Sequence, residues 1–66
     1  MDIEKQILTL ATEYYRVYKD KQIAFEKAVN KAQPTDVYRI FDITNVEYTE
    51  YLCEKYTEKD LQIIEE

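Results

Sequence analysis

Apolar residues recur along this chain at helical rather than alternating spacing. Advancing about 100° per residue from Ile3, one face collects Ile3, Ile7, Leu10, Ala11, Tyr14, Val17 and Tyr18, which predicts an amphipathic helix over residues 2–18. Asp2 and Glu4 stand at its start, where the helix dipole favours negative charge, and Lys19 and Lys21 follow its end. Leu8 and Tyr15 widen the apolar arc to one side, either to meet a third element or to remain open for a partner. A second stripe, Phe25, Ala28, Val29 and Ala32, predicts a helix over 21–32. A single long helix through residue 32 would leave both stripes unburied, so a break near Tyr18 to Asp20 is preferred, with Asp20 as N-cap. Ile23 falls off the stripe.

Pro34 suits the first turn of a third helix over 34–42, with Asp36 near its positive end. The β-branched and aromatic residues of VYRIFDI would also suit a strand. Thr44 and Glu47 favour the helical alternative, because T-x-x-E is a capping box that starts a helix just after Ile43. The last helix, over 45–64, then sets Tyr48, Leu52, Tyr56 and Ile63 against an opposite side of Glu47, Glu50, Glu54, Glu58 and Glu65. Thr57 with Asp60 offers a second cap that could divide it. The expected fold is all-α, a compact bundle of three to four short helices in one small domain spanning 1–66.

Residues 37–52 resemble the helix-turn-helix pattern, in which two helices pack across a short turn. Val37, Phe41, Ile43, Tyr48 and Tyr51 occupy the positions that face the shared core, and Thr44 caps the second helix. The pattern usually has a small residue where this chain has Tyr38, and a glycine where it has Asp42. The resemblance implies a DNA-binding regulator. Charge opposes that implication, since phosphate neutralisation needs Lys and Arg, and base reading mostly uses Arg, Lys, Asn or Gln. The helix that would enter the groove offers Asn45 and several glutamates against Lys55.

The charge is placed unevenly. Residues 1–43 carry seven acids and seven bases, whereas residues 44–66 carry seven acids against Lys55 and Lys59, so the net charge of −5 lies in the last third. Arg16, Lys19, Lys21, Lys27 and Lys31 form the one locally positive stretch, residues 16–31, through which phosphates could be touched. Pairing with Asp20 and Glu26 as ordinary solvated charges is the simpler account.

Catalysis is not expected. The chain has no histidine, glycine or serine, so it lacks the usual acid/base group near neutral pH and any glycine-rich phosphate loop. Glu50, Glu54 and Glu58 form a run on one face rather than a converging pair, and no cofactor or metal site is expected. Cys53 has no second cysteine to pair with and reads as a core thiol, which fits a reducing cytoplasm. The first residues contain acids early and no long apolar run, unlike a signal peptide or membrane span.

What remains is recognition of another macromolecule. Glu47, Glu50, Tyr51, Glu54 and Glu58 are the candidate docking residues, for a basic surface of another protein that handles nucleic acid, as an accessory or inhibitory factor. The Lys/Ile/Tyr/Glu-rich, glycine-free composition resembles that of small proteins of bacterial viruses and mobile elements. The competing expectation is a self-assembling helical protein, with Leu8, Tyr15 and Ile23 as an interface between copies. Such an interface would relieve the marginal stability of so short a chain.

Overall fold

The structure, a computed structural model, describes residues 3–61. Five helices follow in order: α1 (Ile3–Tyr18), α2 (Lys21–Ala32), α3 (Thr35–Phe41), α4 (Asn45–Lys55) and α5 (Glu58–Leu61). The expected all-α bundle is what forms, and no strand occurs among the described residues, so VYRIFDI is helical through Phe41. Local chemistry sets most boundaries. Lys19 turns the chain in the left-handed conformation (φ 55°), and Asp20 then caps α2 by accepting from the Ile23 N–H at 3.1 Å. Thr44 and Glu47 form the reciprocal capping box of α4, at 3.1 and 2.9 Å. Thr57 donates its N–H to Asp60 at 2.8 Å, so the expected 45–64 helix is divided: α4 stops at Lys55 and α5 is a separate short turn. Ile63 and Glu65 lie outside the described residues.

The main packings are α1 on α2, α2 on α4 and α1 on α5. Their core is built from Ile7 and Ala11 of α1, Ala24, Phe25, Ala28 and Val29 of α2, Tyr48 and Leu52 of α4, and Leu61 of α5. The small residues Ala11, Ala24 and Ala28 permit close approach of α1 and α2. Phe25 then fills the space between elements, where full burial of such a side chain stabilises by about 1.5–3 kcal/mol. The buried hydroxyls of Thr12 and Thr49 donate to the carbonyls of Leu8 and Asn45, four residues back, at 2.9 and 2.8 Å. Among the described residues no buried side-chain polar atom lacks a partner, and no helix is long and apolar enough to cross a membrane.

Two expectations need correction, and one open alternative is decided. The α1 stripe stays in the core only as far as Tyr14: Val17 is 71% exposed and Tyr18 is also exposed. Leu8 and Tyr15 are half-buried and packed against the core, the first of the two alternatives the sequence left open for them, while Ile23 is exposed. The helix-turn-helix positions are also split. Val37, Ile43 and Tyr48 turn inward, but Phe41 is 66% exposed and Tyr51 50% exposed. Tyr38 supplies a reason: its ring meets Tyr48 edge-on, with centroids 6.4 Å apart, where a small residue would let the two helices close. Asp42, by contrast, takes the left-handed turn (φ 55°) readily, and the following Ile43 N–H reaches back to the Tyr38 carbonyl at 3.1 Å.

Candidate docking face and apolar cleft

Glu47, Glu50, Tyr51 and Glu54 lie at positions i, i+3, i+4 and i+7 of α4, so one face of the helix carries all four. All four are exposed, on the side away from the core residues Tyr48 and Leu52. Their environments differ. Glu47 is already employed in the capping box, where its carboxylate accepts the Thr44 N–H. Glu50 and Glu54 make no ion pair with another described residue. Tyr51 stacks on Tyr48, with centroids 6.1 Å apart and an interplanar angle of 11°, which anchors its ring on a buried neighbour. Glu58 is exposed too, but it sits on α5 beyond the turn at Tyr56 and Thr57, so helical spacing no longer aligns it with the other three acids.

Beside this face a cleft of about 590 Å³ opens between the first turn of α1, α3 and α4. Its walls are Ile3, Val37, Phe41, Ile43, Tyr48 and Tyr51, with Glu4 and Glu47 as the acidic members of the lining. The cleft follows from the incomplete closure of α3 on α4. No residue of α3 is fully buried, and Ile40, 74% exposed, continues the apolar surface outward from Phe41. The helix-turn-helix resemblance sets Phe41 and Tyr51 toward a shared core, the docking expectation sets Tyr51 at the surface, and neither includes the cleft. One signal was available: Val37, Tyr38, Ile40 and Phe41 spread over an arc of roughly 160° on a seven-residue helix, wider than the apolar stripe of about 100° that faces one neighbour.

The edge of this region is fixed by a clasp between sequence-distant elements. Lys55 Nζ donates to Glu4 Oε2 at 2.7 Å, the Tyr56 hydroxyl donates to the same oxygen, and Lys55 lies over the Tyr51 and Tyr56 rings at 5.7 and 5.5 Å. The hydrogen bonds from Lys55 and Tyr56 hold the Glu4 carboxyl below its ordinary range, and the Glu4 hydrogen bond holds the Lys55 ammonium above its own. Lys55 is thereby engaged with Glu4, leaving Glu50 and Glu54 without a cation from their own helix. Burial pushes the half-buried Cys53 thiol upward, away from the thiolate.

The alternative basic patch is diminished by folding. Lys21 turns inward, donating to the Cys53 and Tyr56 carbonyls at 2.7 and 3.1 Å, so it is committed to the end of α4. Lys27 lies over the Tyr18 ring at 5.2 Å, while Lys19 and Lys31 are exposed. Among the described residues no group of three or more histidine, cysteine, aspartate or glutamate side chains converges as a metal site. No protein-family model, curated protein or solved structure matches this chain.

Proposed function

We propose that this protein is a small acidic protein-binding module that docks on a cationic surface of another protein, as an accessory or inhibitory factor of a protein that handles nucleic acid. The observation that carries it is the exposed pair Glu50 and Glu54, flanking the exposed Tyr51 and served by no cation of the described residues. Holding like charges four residues apart on a helix costs a few tenths of a kcal/mol, roughly 0.2–0.5. A cationic partner offsets that cost and gains faster encounter, while the tyrosine ring supplies apolar contact with little rotamer entropy to lose. Surfaces that neutralise the phosphates of nucleic acid are extended and cationic, which is why a nucleic-acid-handling partner fits best.

The test is capture on the immobilised protein, wild type against Glu50→Lys with Glu54→Lys, at low and at high salt. Basic proteins should be retained by the wild type, released by added salt, displaced by competing DNA or RNA, and lost by the charge-reversed variant. An identical captured set for both proteins would refute the docking role. Direct retention of nucleic acid by the wild type at physiological salt would refute it as well.

A further inference from the structure

We infer that the cleft between α1, α3 and α4 receives one amphipathic, cationic α-helix of the partner, its apolar side chains seated against Phe41, Ile43 and Tyr51 and its Lys or Arg residues directed at Glu47, Glu50 and Glu54. This rests on the docking role proposed above and specifies the occupant. The walls are mostly apolar side chains carried by helices, with Ile43 in the turn between α3 and α4, and two of the N–H groups at the start of α4, those of Thr44 and Glu47, are closed by the capping box. They offer an incoming chain no row of backbone donors and acceptors. An extended segment would bury its own amides unpaired, whereas a helix arrives with its backbone already bonded.

Charge selects among helices. Glu47 lies in the lining, and Glu50 and Glu54 continue from it along the same face of α4 past Tyr51. An apolar stripe entering the cleft therefore has acids along one flank over two turns of α4, which suits Lys or Arg beside the apolar anchors and repels an acidic helix. Glu4, on the opposite side, is occupied by Lys55 and Tyr56 and adds little attraction.

The probe is a synthetic helix of roughly four turns with Leu at i, i+3, i+4 and i+7 and Lys elsewhere. Three companions isolate its features: one of equal charge with every Leu replaced by Ala, one with a central Pro, and one with Glu in place of Lys. Affinity is read by anisotropy of the labelled peptide, and location by amide shifts of the full chain. The Leu/Lys helix should bind one to one and move the amides of Phe41, Ile43 and Tyr51. The Ala, Pro and Glu companions should each bind at least about tenfold more weakly, and Phe41→Ala should weaken the Leu/Lys helix by about tenfold. Phe41 is exposed, so that variant should keep its circular dichroism.

Equal affinity for the Leu and Ala peptides, or an unaffected Phe41→Ala, overturns the cleft as the seat. If Glu50→Lys with Glu54→Lys still abolishes binding in that case, the docking role survives without the cleft. Equal binding of the Pro peptide overturns the helical occupant. Unchanged affinity in the charge-reversed variant overturns the cationic flank and the docking role together.

Discussion

At the scale of single residues, the absence of glycine leaves a visible mark. Helices commonly end on a left-handed residue, and glycine fills that place without steric penalty. Here Lys19, Gln33 and Asp42 do so instead, with φ of 55°, 51° and 55°. Aspartate tolerates this conformation, but glutamine has no short polar side chain to compensate the clash between Cβ and the backbone. Gln33 is exposed, and its N–H still closes α2 on the Val29 carbonyl at 2.9 Å, so the backbone geometry does not depend on its side chain. Gln33→Gly is therefore expected to stabilise by about 0.5–1 kcal/mol, the relief of strain exceeding the extra chain entropy of glycine. Urea unfolding should show a higher midpoint with an unchanged slope.

At the scale of elements, Lys21 illustrates a residue that violates a local rule for a tertiary reason. A cation in the first turn of a helix opposes the dipole, and the first turn of α2 carries no acid beyond the N-cap Asp20. The ammonium instead crosses to α4, where the Cys53 and Tyr56 carbonyls are among those left unpaired by the end of the helix. The same charge that is misplaced on α2 is well placed at the negative end of α4. Lys21→Met keeps the half-buried stem and removes the donor, and it is expected to cost about 1–2 kcal/mol, measurable as a lower urea midpoint. Lys19→Met, at an exposed neighbour, should move the midpoint far less.

The same contrast explains what could be read before the fold was known. The Asp20 cap, the Thr44–Glu47 box and the Thr57–Asp60 cap depend on residues within one turn of each other, and all three form. The faces of α1 and α2 were legible because periodicity reports which residues share a side. Periodicity does not report how far a neighbouring helix reaches, so Val17 shares the apolar stripe of α1 yet is exposed, and the helix-turn-helix resemblance likewise sets Phe41 and Tyr51 toward a shared core that does not extend to them. Leu61, buried against α1 from a four-residue helix, carries no periodic signal at all. The acids of α4 were visible as a face, while the cleft beside them required the positions of three elements that only the tertiary fold brings together.

At the scale of the whole molecule, the Glu4 clasp ties the start of α1 to the end of α4 across 51 residues of chain. Its energetics should appear in the pH dependence of stability. The folded-state pKa of Glu4 is lowered from the ordinary value of 4.5, chiefly by its hydrogen bond with Lys55 and then by that with Tyr56. The folded form thus binds the Glu4 proton less readily than the unfolded chain does. Its contribution is present in full above the unfolded value and is lost as pH falls through the folded one. Other carboxylates and the changing net charge also act over this range, so the wild-type curve alone does not isolate Glu4. The difference between wild type and Glu4→Gln does. Thermal unfolding at pH 7 should give the variant a lower Tm, and the gap should narrow below pH 4.5 and close well under it, where Glu4 is protonated in both folded and unfolded wild type. Added salt at pH 7 should narrow the gap as well, because both partners are partly exposed. A gap that stayed constant from neutral to strongly acid pH would assign the Glu4 effect to packing rather than to charge, and would leave the joint between α1 and α4 without its electrostatic tie.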